Sequence, residues 1–208
     1  MLTNNNDFVT MFEQRLSEYT GAPYVVAVDR CTTALLLCIK VCGITEVTIP
    51  THTYVSVPMT LHLHGIGVSL QLSHWQGMYE LGNTNIYDCA VGFDKHMYRP
   101  STYMCLSFQQ KKRLAIGKGG AILLDNPHHA SLLRRLRHDG RDSSRSVIDE
   151  LATDPTAIQY GYHAYMSPDE AAKGILLLNQ LTSSYTPGRW GDYPDLTTIP
   201  CLNNLPVL

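Results

Sequence analysis

Apolar residues along this chain change period several times, and each change marks an element. Phe8, Met11, Phe12, Leu16 and Tyr19 recur at helical spacing and Gly21 follows, so the chain opens with an amphipathic helix. Tyr24-Val25-Val26-Ala27-Val28 then runs apolar without a break, as a short buried strand does. A helix follows from Thr32 or Thr33 through Leu35, Leu36, Ile39 and Val41, ended by Gly43. The strand Glu46 to Pro50, a helix around Val55 to His64 and a strand around Val68 to Leu72 continue the alternation. This βαβαβ rhythm predicts an α/β fold with a mostly parallel central sheet, flanked by helices on right-handed crossovers.

From Ser73 to Asn83 the pattern dissolves into a polar, glycine-containing connection. Order returns with strands at Asn85 to Asp88, Tyr103 to Phe108 and Ala121 to Asp125. Pro127 suits the first turn of a helix reaching His138. Residues Asp139 to Gln159, rich in Asp, Ser and Arg, read as a loop. Ser167 with Glu170 three residues on has the form of a capping box, opening a helix to about Leu181. The proline-rich chain beyond Tyr185 has no period and is expected to be extended or loosely ordered, which divides the sequence into a domain over 1–185 and a tail over 186–208.

With 208 residues and 44% hydrophobic content the chain can bury a real core. A formal net charge of −2 gives no reason to expect a nucleic acid or an anionic membrane as partner. The one basic cluster, Arg134, Arg135, Arg137 and His138 with Arg141 and Arg145 beyond, reads as a solvated helix face. No apolar run approaches the roughly 20 residues that span a bilayer, and Met1 to Asp7 is polar, without a signal-peptide core. These features predict a soluble, cytoplasmic protein. The six cysteines lie mostly inside apolar patterns and lack the paired short spacing of a zinc site, so they read as reduced core residues. His62 with His64, and His128 with His129, lack the i, i+4 spacing that would aim two ligands from one helix face, and no metal is expected.

The chemistry concentrates at Ser107-Phe108-Gln109-Gln110-Lys111-Lys112-Arg113-Leu114-Ala115-Ile116-Gly117-Lys118-Gly119-Gly120, where a strand ends, a lysine pair follows and a glycine-rich turn opens the next strand. An amine that condenses with a carbonyl cofactor needs such an anchored position beside tight turns. Elsewhere a threonine pair, Thr32-Thr33, starts a helix after a strand, an arrangement that serves a phosphate or merely caps the helix. Asp88 ends a strand, where an aspartate also commonly caps a turn.

Taken together these segments resemble the sugar aminotransferases of the DegT/DnrJ/EryC1/StrS family, from Phe12 to about Leu181 with gaps. Ser107, Lys112, Gly117, Gly119 and Gly120 match its Ser-Phe, three variable residues, lysine and Gly-x-Gly-Gly. The resemblance implies the large domain of a fold type I pyridoxal phosphate-dependent transferase over 1–185, reduced, with the small C-terminal domain largely missing. It implies pyridoxal 5′-phosphate as cofactor and Lys112, ahead of neighbouring Lys111 and Lys118, as its Schiff-base lysine and later the proton-transfer group. Asp88, in a segment similar to the family's Glu-Asp-Ala-Ala, would face the pyridine nitrogen and keep it protonated. Thr32, Thr33 and Ser107 would hold the phosphate, and Tyr54, in Pro50-Thr51-His52-Thr53-Tyr54, would stack on the ring. His163 stands where relatives carry an asparagine that reaches the cofactor phosphate of a neighbouring subunit, which implies a homodimer.

Tyr165 replaces the family's arginine, and Val91 replaces a glutamine or histidine three residues after the aspartate. Relatives also carry several tens more residues between the strand near Val68 and Asp88. The shortened sheet then needs its edge covered, and dimerisation would cover it. The resemblance implies transfer of an amino group from glutamate or a similar donor to a keto-sugar, typically nucleotide-linked. Two alternatives stand beside it: a degenerate relative that binds pyridoxal phosphate or a nucleotide-sugar, or pairs with a full-length partner, without turnover, and a sugar dehydratase, whose members lose the lysine retained here.

Overall fold

The computed structural model describes residues 6–154, 156–182 and 185–208; Met1 to Thr3, Asn4 and Asn5 of the polar N-terminus lie outside them. The predicted alternation is present as α1 (Asn6–Thr20), β1 (Tyr24–Val28), α2 (Cys31–Val41), β2 (Glu46–Pro50), α3 (Ser56–Leu63) and β3 (Gly67–Gln71). It continues with β4 (Tyr79–Glu80), β5 (Ile86–Asp88), β6 (Tyr103–Ser107), β7 (Gly120–Leu124), α4 (Pro127–Leu136), α5 (Val147–Thr153) and α6 (Pro168–Leu178).

Strands β1 and β7 are apolar throughout, and β6 nearly so, because both faces are covered. Val25, Ala27, Met104, Leu106, Ala121 and Leu123 face one core with Phe12 and Leu16 of α1 and Ala171 and Leu178 of α6. Their neighbours Val26, Val28, Cys105, Ile122 and Leu124 face a second core around α2, which also takes up Val47, Ile49, Val68 and Leu70 of β2 and β3. Eight of the eleven residues of α2 are buried, so this helix is a filling between the five-stranded sheet and helices α3 and α4 and not a surface element.

The fold class is α/β as expected, but the sheet is mixed and not mostly parallel. Its order is β1-β7-β6-β5-β4, and β2 and β3 form a separate parallel pair. Strands β5 and β6 are parallel, whereas β7 runs against both β6 and β1. The cause is the connection: residues 108–119 link β6 to β7 without a crossover helix, and a link of that kind returns the chain antiparallel. Since β1 and β6 both oppose β7, strands β1, β5 and β6 still point the same way.

Edge strand β1 is closed by side chains of its own chain. The Ala27 N–H donates to Glu13 Oε1 at 2.9 Å, the Val25 carbonyl accepts from Arg134 at 2.9 Å, and the Ala27 carbonyl accepts from Arg137. Glu13 in turn pairs with both arginines. The basic cluster of α4 is therefore not a solvated face. Arg137 is buried, and Arg135 pairs with the buried Glu150 of α5.

Three segments are more ordered than their sequence suggests. The polar connection contains β4, paired with β5. The loop after α4 contains α5, capped by Ser146, whose side chain accepts from the Asp149 N–H. The proline-rich tail forms three short 3-10 turns, buries Leu196 and Leu202, and bonds to β3 through Leu70 N–H to the Pro206 carbonyl at 2.7 Å.

Replacing Glu13 removes the acceptor for Ala27 and leaves two cationic partners, one of them buried, without a counter-charge. Glu13→Ala should lower unfolding free energy by about 3–5 kcal/mol in urea titrations, and should promote self-association through the reopened β1 edge, measured by light scattering.

Candidate functional site

The site grows from the junction of β1 with α2. Arg30, at the N-cap of α2, is extended and makes no side-chain cap, so the first-turn N–H groups of Cys31 to Thr33 meet the cavity beside it without a capping oxygen. Gly120 lies so close that a Cβ there would fall 2.6 Å from Cys31 N and from the Arg30 carbonyl carbon. Only glycine allows β7 to seat the end of the lysine loop against this helix start. Gly119, at φ +124°, makes the turn into that contact and bridges to Arg30.

Between β6 and this turn the loop is held by its own backbone. Phe108 N–H donates to the Gly119 carbonyl and Gly117 N–H to the Phe108 carbonyl, each at 3.0 Å, while Phe108, Leu114 and Ile116 are buried. The loop thus presents its lysines differently. Lys111 and Lys118 are exposed, whereas Lys112 is half-buried, with Nζ donating to the Tyr193 hydroxyl at 3.4 Å.

Asp88 ends β5 on the same cavity and is buried. Its Oδ2 accepts from the Tyr79 hydroxyl at 2.9 Å and its Oδ1 from the Ala90 N–H at 2.9 Å, and Tyr79 is itself bonded to Thr53 Oγ1 at 2.8 Å. Burial pushes the Asp88 carboxyl above its ordinary pKa, an effect partly offset by the Ala90 and Tyr79 hydrogen bonds, by the charge of Lys112 and by Cys31. Burial, followed by the Asp88 charge, raises the Tyr79 phenol well above its usual value.

All seven residues singled out in the sequence, Thr32, Thr33, Tyr54, Asp88, Ser107, Lys112 and His163, line one cavity of about 980 Å³. Thr32 Oγ1 is 2.7 Å from Ser56 Oγ, which ties the start of α2 to that of α3, and Thr33 Oγ1 accepts from Arg30 Nε at 3.1 Å. Ser107 ends β6 on the floor between Asp88 and the lysine loop. Tyr54 stands at the rim, 59% exposed. His163 lies on the cavity of its own chain, with Nδ1 3.2 Å from Asp139 Oδ1. Tyr165 instead stacks on His138, 4.8 Å between ring centroids.

Sequence reasoning missed Tyr79, Ser56, Trp75 and Tyr193, all of which line this cavity. Ser56 adjoins the Pro50-Tyr54 motif and was within reach of it. Tyr79 and Trp75 sit in the aperiodic connection and Tyr193 in the aperiodic tail, and no spacing marks them.

The donors fit pyridoxal phosphate. An amine, an uncapped helix start with Thr32, Ser56 and Ser107 nearby, and a buried acid face one space. The acid's burial penalty is what a protonated ring nitrogen beside it would relieve. A negative charge stands beside the helix start: Asp29 keeps Oδ2 on Arg30 Nε at 2.9 Å while its buried Oδ1 has no partner. Arg30 balances that charge. Among the described residues no group of three or more His, Cys, Asp or Glu is placed to hold a metal ion, and no helix is long and apolar enough to cross a membrane.

Known structures share this fold. AtS13 from Actinomadura melliaura shares the fold at TM-score 0.67 and 19% identity, over 84% of this chain and 60% of its own. DesI, crystallised with its TDP-sugar product, matches at 0.65 and 20% over 86% of this chain and 54% of its own. The sugar aminotransferase CalS13 from Micromonospora echinospora matches at 0.66 and 16%, over 84% and 60%. The chain thus spans less than two thirds of the length of these structures. No curated protein matches it. The model of the DegT/DnrJ/EryC1/StrS aminotransferase family matches residues 1–69 and 62–186, its two stretches meeting at β3, and with 186 residues so covered the chain belongs to that family.

Proposed function

We propose that this chain is a pyridoxal phosphate-dependent aminotransferase that passes an amino group from glutamate or a similar donor to a keto-sugar, in nucleotide-linked form. The observation that carries this is the convergence of Lys112, Asp88 and the uncapped start of α2 on one cavity. Family membership and the sugar-processing names among the similar structures support it.

Lys112 is the amine that holds the cofactor and, once free, moves a proton at the substrate carbon. Asp88 keeps the ring nitrogen protonated, Thr32, Thr33 and Ser107 take the phosphate with the α2 N–H groups, and Tyr54 covers the ring. His163 adds a donor from the opposite wall. When bound, the cofactor supplies an electron sink that stabilises charge at the substrate carbon. Six cysteines free of disulfides support a reducing, cytoplasmic setting. The exposed Val147, Ile148 and Leu151 of α5, with Tyr160, support a homodimer.

A second reading, binding without turnover, is favoured by two positions. Val91 presents an apolar wall whose carbonyl accepts from Tyr185 at 2.6 Å, and Tyr165 stacks on His138 without lining the cavity.

Covalent capture tests the lysine. With pyridoxal 5′-phosphate and borohydride, the amine and aldehyde condense with loss of water and hydride fixes the product as a secondary amine. Mass spectrometry should find the label on Lys112, and Lys112→Ala should take up none there; label confined to Lys111 or Lys118 refutes the assignment. Glutamate added to the loaded protein should yield 2-oxoglutarate if turnover occurs, and none if the chain only binds.

Asp88 supplies a pH test. Its carboxyl is raised in the fold, so its contribution to stability is full below the ordinary carboxylate range and is lost as pH rises through the raised value. The cofactor-free protein should therefore lose stability on that rise, and Asp88→Asn should flatten the loss in thermal melts while slowing 2-oxoglutarate release at least ~100-fold, the scale of a lost electrostatic stabiliser.

A further inference from the structure

We propose that Tyr193, on the C-terminal segment beyond the family match, is a positioning residue that orients the amine of Lys112. The inference rests on the aminotransferase reading above and assigns a part of that site to residues outside the matched 1–186.

The segment is fastened across the cavity by contacts at both ends. Gly77 N–H donates to the Gly188 carbonyl and Leu196 N–H to the Thr51 carbonyl, both at 2.8 Å. Between them Trp190 N–H donates to the Trp75 carbonyl at 3.1 Å, and the Trp190 indole stacks on His74 with centroids 4.3 Å apart. Trp75 is fixed in turn by its Nε1–H to the His52 carbonyl at 3.0 Å, and its ring lies 5.4 Å from that of Tyr193. Tyr193 therefore has a defined place on the wall, with Gly188, Asp192 and Pro194 beside it.

From there the phenol addresses Lys112 in two ways. Its oxygen is 3.4 Å from Nζ, and its ring centroid is 6.0 Å from the same atom, within cation–π range. Burial, then the negative charges of Asp88 and Asp192, raise its pKa to about 12, so it remains a neutral hydroxyl across the working range. A neutral hydroxyl accepts from the ammonium form of Lys112 and donates to the free amine, so it holds Nζ in both protonation states. A flexible lysine otherwise samples many rotamers, and one fixed partner shortens its search for the reacting carbon.

The test uses the full chain with Tyr193→Phe, which keeps the ring against Trp75 and removes only the oxygen. Borohydride-trapped label on Lys112 is followed over time at several concentrations of pyridoxal 5′-phosphate, and the fluorescence of Trp75 and Trp190 reports whether the segment stays seated. Wild type should label Lys112. The variant should show unchanged fluorescence, a half-saturating cofactor concentration within twofold of wild type, and a limiting labelling rate lower by about tenfold, the scale of a lost hydrogen bond to a charged group. Tyr193→Leu, which also removes the ring, should slow labelling at least as much. A limiting rate in Tyr193→Phe equal to wild type overturns the positioning role while leaving the aminotransferase reading in place. Failure of wild type itself to label Lys112 overturns both.

Discussion

The structure depends on α2 being buried on all sides. A helix with eight of eleven residues inside cannot slide or tilt without opening voids against β5, β6 and β7 on one side or against α3 on the other. Its start is thereby fixed, and Gly120 brings β7 against that start at a distance no side chain would tolerate. The lysine loop hangs from β7 and β6, so the amine, the acid at the end of β5 and the helix N-terminus are all referenced to one rigid body. Hydrophobic packing of a central helix is what makes the geometry of the polar site reproducible.

A second constraint is the edge of the sheet. A short sheet with a bare outer strand invites pairing with another chain, and a buried edge with unmet N–H and C=O groups is costly. Here Glu13, Arg134 and Arg137 satisfy those groups of β1 directly. Glu13 compensates the buried charge of Arg137, and Arg134, which pairs with the same carboxylate, keeps part of its side chain in solvent. Closing the edge inside one chain leaves any association free to use other surfaces, and α5 carries the exposed apolar residues that such a contact would bury.

Much of the central fold was legible because its signals are local. Val25 to Val28 and Met104 to Leu106 are continuous apolar runs, as strands covered on both faces must be, and Ser167 with Glu170 marks α6 through a capping box that is present. The missed features depend on distant partners. Arg137 reads as a surface charge until β1 lies beside it, and α5 conceals its role because the side chain it buries is Glu150. The tail has no period, yet it is ordered by β3 and Trp75 more than a hundred residues earlier in the chain. The direction of β7 was within reach: the twelve residues between β6 and β7 carry no helical pattern, which already argues for a return and not a crossover. For the site, motif spacing located seven residues on one cavity, but its aromatic wall of Trp75, Tyr79 and Tyr193 belongs to segments without motifs.

That division has a physical logic. Lys112, Asp88, Ser107 and the α2 threonines stand at the ends of elements whose other residues fill the core, so their positions are inherited from packing and change only if the core changes. Val91, His163 and Tyr193 stand on loops and on the tail, where a substitution alters the cavity without disturbing a strand, and Tyr165 lies on the same loop as His163, outside the cavity. The departures from the family pattern fall mostly on this second set. At the helix start Asp29 and Arg30 pair with each other. A scaffold of this kind fixes one set of cavity residues through the core and leaves the other on loops and on the tail, which joins β3 only at its far end, through Leu70 and Val207, and is therefore able to supply new groups to the cavity.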